Sequence, residues 1–188
     1  MRTVYIVATY TGTTLARAIR RISHTPYSHI SISLNKDLKP MYAFGRIYPH
    51  TPIFAGLVEE NINEGLYAIK RNTECRVYEL EVSEKEYILI EQNLYSKWEK
   101  RKSLKYDTKG LVMLAINRPR VRENKYVCSS FVSHILEESG VNIFTKPYYE
   151  VQPIDFIYNS TGLRITYEGL LSEYKYVDQK DNIAVIGR

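Results

Sequence analysis

The chain has 188 residues, 44% hydrophobic and 25% charged, which suits one globular domain with its own core. Its +5 formal charge comes from 26 basic residues interleaved with 21 acidic ones, so the densest cluster, KWEKRKSLK at 97–105, reads as a solvated helix end, and nucleic acid is not an expected partner. No run reaches the roughly 18 apolar residues of a membrane span, the N-terminus lacks the apolar core of a secretory signal, and the two cysteines make neither a disulfide framework nor a zinc site, so a reducing, cytoplasmic setting with no metal or cofactor is expected.

The first element is Val4–Ala8, an apolar, β-branched run that reads as a buried strand. Tyr10-Thr11-Gly12 breaks it, and Thr13 or Thr14 caps a helix to about Ser23 with Leu15, Ala18, Ile19 and Ile22 on one face. Pro26 closes that segment, because the residue before a proline is steered away from helix. In YSHISISL, His29, Ser31 and Ser33 alternate with Ile30, Ile32 and Leu34, the period of a strand with one apolar face. A polar NKDLKP turn leads into a return strand at Met41–Arg46, making an antiparallel hairpin. Residues 47–72 show little periodicity and read as an irregular insert with a short strand around Gly56–Glu60.

Glu74–Val82 alternates as a strand, and Ser83 with Glu86 then forms a capping box for a helix to about Arg101. A short helix follows at Thr108–Ile116, then a polar connector. Cys128–Ser139 is an amphipathic helix closed by Gly140. Pro153 begins a short helix, Leu163–Thr166 reads as a strand, and Tyr167–Tyr174 as a further helical turn or two. Cys75 reads as strand core. The aromatic stretch MYAFGRIYPHTPIF and the PYYEVQP loop at 147–153 are candidate walls of a pocket. These elements give one α+β domain.

Chemistry concentrates on the KYVCSSFVSHILEESG helix. Cys128 lies in its first turn, where unpaired N–H groups and the positive end of the helix dipole favour a thiolate and can hold a developing oxyanion. Such a thiol needs a base. His134, six residues on, points elsewhere around the helix, and His24 and His50 fall in loops near prolines. His29 remains, at the start of a strand whose serines would let a helix pack close, so the pairing is Cys128 as nucleophile and His29 as base. By itself, a cysteine in an amphipathic helix is more often plain core.

YSHISISLNKDLKPMYAFGR resembles the histidine strand, turn and second strand of NlpC-type papain-fold cysteine hydrolases, and YVCSSFVSHIL resembles their nucleophile helix. Histidine precedes cysteine here, as in the circularly permuted branch of YiiX-like and lecithin:retinol acyltransferase-like proteins. The likeness covers roughly residues 1–46 and 105–140. It implies a permuted papain-like domain, with a small antiparallel sheet packed against the Cys128 helix. The implied reaction is thiolate attack on an amide or ester of a peptide or lipid-like substrate, with His29 relaying the proton through a thioester. It also implies that Tyr126 helps the oxyanion site with its side chain. The family's third polar residue, which orients the histidine, falls on Ala43, which has no acceptor; Ser28, Asn35 and Arg46 are other polar groups nearby. Ala43 and the basic charge leave a rival reading: an inert module of the same fold that binds an anionic surface or nucleic acid.

Overall fold

The computed structural model describes residues 1–176 apart from 24, 50, 52, 53 and 117, so His24 and His50 lie outside the described residues, as do the side chains of Leu15 and Ile22. The N-terminal apolar run forms β1 (Arg2–Tyr10), and Thr13 caps α1 (Thr14–Ser23) by accepting from the Ala16 N–H at 3.3 Å. The alternating HISIS is β2 (His29–Ser33), followed by β3 (Met41–Arg46). The stretch expected to be largely irregular holds β4 (Ala55–Glu60) and α2 (Gly65–Ile69). Strand β4 pairs along the whole of β3, from Met41 opposite Glu60 to Arg46 opposite Ala55, which is why six residues of weak pattern hold as a strand.

Next come β5 (Glu74–Val82) and α3 (Glu84–Glu99). The capping box closes as expected: Ser83 Oγ accepts from the Glu86 N–H at 3.2 Å, and Glu86 Oε2 accepts from the Ser83 N–H at 2.7 Å. A two-residue strand β6 (Lys105–Tyr106) leads to α4 (Thr108–Ala115), where Asp107 accepts from the Gly110 N–H at 2.8 Å. Then follow β7 (Lys125–Tyr126), α5 (Cys128–Glu138), α6 (Pro153–Tyr158) and β8 (Leu163–Leu170). Gly140, at φ 82°, takes the left-handed conformation that ends α5. Strand β8 runs on to Leu170 where a helical turn was expected, because β5 pairs with it as far as Glu74 opposite Leu170.

The architecture is mixed α+β. A six-stranded antiparallel sheet runs in the order β4-β3-β2-β1-β5-β8, and β6 and β7 form a separate parallel pair. Both faces of the sheet are covered, so the middle of β1, Val4–Ala8, is a continuous apolar run rather than alternating. One face carries Ile6, Ile30, Ile32 and Phe44 against Ile90 of α3 and Phe131, Val132 and Ile135 of α5. The other carries Val7, Met41, Cys75 and Val77 against Tyr67 and Leu171. Phe131 is fully buried, and its truncation to alanine would cost about 3–5 kcal/mol. No helix among the described residues is long and apolar enough to cross a membrane.

The expectation that α5 packs on the serine face of β2 is corrected. Period two puts Ser31 and Ser33 opposite Ile30 and Ile32, and the apolar side of α5 buries itself on the isoleucines. The serines turn to the other face, where Ser31 donates to Glu60 Oε2 at 2.7 Å and Ser33 to the Pro40 carbonyl at 2.7 Å. The helix therefore reaches His29 by its first residue, at the start of the strand, not across the strand's face.

Candidate active site

Helix α5 begins where its backbone geometry leaves donors free. The Phe131 N–H bonds the Val127 carbonyl at 3.0 Å and closes the first turn, and the Val127 N–H is taken by Ser130 Oγ at 3.0 Å. The next amides, from Cys128 on, have no intrahelical acceptor. Ser129 Oγ anchors this turn by donating to the Val151 carbonyl at 2.7 Å. The backbone amides of Ser129 and of Ile30 on β2 lie near enough to the Cys128 sulfur to favour its thiolate, so the sulfur sits between the helix start and the sheet.

His29 lies in hydrogen-bonding contact with the same sulfur. Its Nε2 donates to Glu60 Oε1 at 2.9 Å, with Oε2 at 3.2 Å. Nε2 is thus committed to the carboxylate, and Nδ1 is the nitrogen left to face sulfur. Glu60 is in turn held by Ser31 at 2.7 Å and by the Tyr67 hydroxyl at 3.2 Å. Gly45 leaves room for this group: a Cβ there would sit 3.1 Å from Glu60 Oε1 and 3.5 Å from His29 Cε1.

The three groups set one another's charge. Burial opposes protonation of His29, but the Glu60 carboxylate and the bond to Cys128 hold its pKa well above the ordinary 6.5. Burial disfavours the Cys128 thiolate, yet the bond to His29, that residue's positive charge and the Ile30 and Ser129 amides hold the thiol below its ordinary 9.0. Burial would raise Glu60, but the His29 charge and bond, then Ser31 and Tyr67, hold it below 4.5. All three shifts favour the charged forms: thiolate, imidazolium and carboxylate. Cys75 lacks any such support: it is fully buried on the far face of the sheet, and burial pushes its thiol up to about 12.

Cys128 borders two cavities. The larger, about 440 Å³, is also lined by His29, Glu60, Arg46, Thr13, Lys105 and Tyr106. The smaller, about 230 Å³, runs between α1 and α4 and is lined by Ala18, Ile19, Leu111, Val112, Leu114 and Ile116. Ile19, Ser28, Tyr106 and Leu111 touch both cavities; His29 touches only the larger.

The structure brings Cys128 and His29 together and places Tyr126 elsewhere. Tyr126 lines neither cavity. Its ring is buried among Phe44, Phe131, His134 and Tyr148, and burial pushes its pKa up to about 12. The tyrosine beside the sulfur is Tyr106, its register partner across the β6–β7 pair, which burial and the sulfur's charge keep protonated. Ala43 is fully buried opposite Val58, and the orienting carboxylate comes from β4, one strand further out. Asn35 is occupied in its own turn, donating to the Lys39 carbonyl at 2.8 Å. Of the aromatic stretch, Phe44, Gly45 and Arg46 line the larger cavity, while Tyr48 and Phe54 stack edge-on in solvent. Of the 147–153 loop, only Gln152 and Pro153 reach a cavity bordered by Cys128.

Glu60 and Tyr106 were not legible as site residues. Glu60 closes a six-residue strand in a stretch of weak pattern, and its one sequence signal is the acidic pair Glu59-Glu60 ending an apolar run. Among the described residues no group of three or more His, Cys, Asp or Glu is arranged to hold a metal ion. No family model matches the chain, and no curated protein is similar to it.

Proposed function

We propose that this protein is a cysteine hydrolase or acyltransferase with a permuted NlpC-like papain fold, acting on an amide or ester through a thioester on Cys128. The observation that carries the reading is the line Cys128–His29–Glu60 opening onto a cavity. The rival, an inert module, rested largely on Ala43 lacking an acceptor; Glu60 supplies that acceptor.

The geometry supports the following sequence. The Cys128 thiolate attacks the substrate carbonyl carbon, and the carbonyl oxygen becomes an oxyanion at the amides of the α5 N-terminus, donors of a kind whose loss costs about 2.7–4 kcal/mol of barrier. The bond to the leaving nitrogen or oxygen breaks, and the His29 imidazolium gives its proton to that atom. The neutral imidazole then takes a proton from water, or from an acceptor hydroxyl or amine, as this attacks the thioester. The acid or transferred acyl product leaves, and thiolate and imidazolium are restored. Glu60 holds the ring in the tautomer this relay needs and balances its charge.

The cavities divide the substrate. A leaving group must lie on the side of His29, which lines only the larger cavity. The acyl part then lies in the smaller one. At about 230 Å³ that cavity is below the roughly 300–1,000 Å³ of a whole-ligand pocket, and its apolar walls suit a hydrocarbon chain or an apolar side chain. Both cysteines are free thiols, which fits a reducing compartment such as the cytoplasm.

The test is intact mass after brief exposure to para-nitrophenyl octanoate. The expected result is one octanoyl group, mapped to Cys128, absent in Cys128→Ala and formed far more slowly in His29→Ala. Acylation of lysines with Cys128 unmodified contradicts the reading.

A further inference from the structure

We propose that the larger cavity recognises an anionic group, a carboxylate or a phosphate, on the leaving-group side of the substrate, through Arg46 and Lys105. This rests on the acyl-transfer reading above and names the chemistry of that reaction's leaving group.

Arg46 ends β3 and Lys105 opens β6, and both line the cavity. Neither has an acidic partner among the described residues. Among the described residues the Arg46 side chain makes one hydrogen bond, Nη2 to Thr13 Oγ1 at 3.0 Å, and Thr11 Oγ1 lies 3.4 Å from that same hydroxyl. Thr13 already serves as the α1 cap, so it fixes the guanidinium without neutralising it. The contrast with nearby cations is clear: Lys97 pairs with Glu138 at 3.2 Å, and Arg122 pairs with Asp107.

The charge balance in the cavity gives the sign of the missing partner. His29, Arg46 and Lys105 are positive; Glu60 and the Cys128 thiolate are negative; Tyr67 and Tyr106 are neutral. One positive charge is left over in the resting site. When the sulfur becomes a neutral thioester the imidazolium has given up its proton, so the same single positive charge remains while the leaving group is still held. A cleft with an excess of one sign of charge attracts a ligand of the other sign. An anionic leaving group is therefore attracted both by the resting site and by the covalent intermediate. Arg46 presents a planar fork suited to carboxylate or phosphate, and Lys105 a point charge.

The experiment uses three matched alkylating probes with one reactive head: the iodoacetyl derivatives of methylamine, of glycine and of aminomethylphosphonate. Each forms a sulfur–carbon bond with the Cys128 thiolate and expels iodide, so no turnover is needed. At least one anionic probe is expected to label Cys128 about tenfold faster than the neutral one, relative to their rates with a free thiol at the same salt. The faster of the two tells carboxylate from phosphate. In Arg46→Met/Lys105→Met the anionic-to-neutral ratio is expected to fall to that of the free thiol, and in Arg46→Glu below it. Anionic probes no faster than the neutral one, or an advantage that survives in the double variant, overturn the proposal and leave the nucleophile intact. Labelling of Cys128 by the neutral probe no faster than labelling of Cys75 overturns the acyl-transfer reading and this one with it.

Discussion

Replacing Glu60 with glutamine keeps the side chain's shape and removes its charge. In the native protein this carboxylate accepts from His29 Nε2 at 2.9 Å and is itself held by Ser31 and Tyr67. A hydrogen bond to a charged group contributes about 1.5–3 kcal/mol. At about 1.4 kcal/mol per factor of ten, its loss reduces the thiolate–imidazolium population by about ten- to a hundredfold. Burial, which opposes a charged His29, then goes unanswered by the largest opposing influence. The assay is the iodoacetamide rate at Cys128 near pH 6, where an ordinary thiol is almost wholly protonated, read by peptide mass spectrometry with Cys75 as internal reference. Glu60→Gln is expected to slow Cys128 by that factor without changing Cys75. A Cys128 rate within about twofold of wild type would refute the idea that the carboxylate sustains the ion pair.

Gly45→Val places methyl groups where the Cβ alone would already sit 3.1 Å from Glu60 Oε1, so it should slow Cys128 labelling more than tenfold; an unchanged rate means the ring and carboxylate move aside freely. Ala18→Trp narrows the apolar cavity, and is expected to abolish acylation by para-nitrophenyl octanoate while para-nitrophenyl acetate still reacts; equal loss of both contradicts the assignment of the acyl side. The pair also shapes stability against pH. Between the ordinary histidine and cysteine values of 6.5 and 9.0, the unfolded chain holds one proton on the pair, as thiol, and the folded chain also holds one, as imidazolium. The proton counts match, so the pair adds no slope there. In Cys128→Ala, His29 is still raised by Glu60. Its contribution is full below 6.5 and is lost as pH rises through the folded value. Relative to wild type, the variant's unfolding free energy should fall by up to about 1.4 kcal/mol per pH unit above 6.5; parallel curves in urea titrations argue against a raised His29.

Short-range rules carried much of the fold. The alternation of HISIS, the Ser83–Glu86 box and the Gly140 stop are local signals, and β2, α3 and α5 stand where they point. Failures came where tertiary pairing overrides local pattern. Strand β4 is held by β3, and the second half of β8 by β5; neither segment shows a strong period of its own. The serine face of β2 was assigned to the helix because small residues allow close packing, yet burying apolar isoleucines against apolar α5 is the larger gain. In the site, Cys128 and His29 were readable from a helix start and a strand start. Glu60 is 31 residues from His29 and meets it only because β4 lies two strands away in the same sheet. Tyr126 was chosen for its nearness to Cys128 in sequence, but three aromatic neighbours and a histidine draw it into the core, and its strand partner Tyr106 takes the place beside the sulfur.

The central claim is that the Cys128 thiol is ionised at neutral pH because His29 carries its proton. The direct measurement is the pH profile of iodoacetamide alkylation at Cys128, against Cys75, in wild type and in His29→Ala. The account predicts a rate that stays high well below the pH at which an ordinary thiol ionises, and a shift of the profile towards the ordinary cysteine value in His29→Ala. A Cys128 profile that rises only near that ordinary value and is the same in both proteins would contradict it.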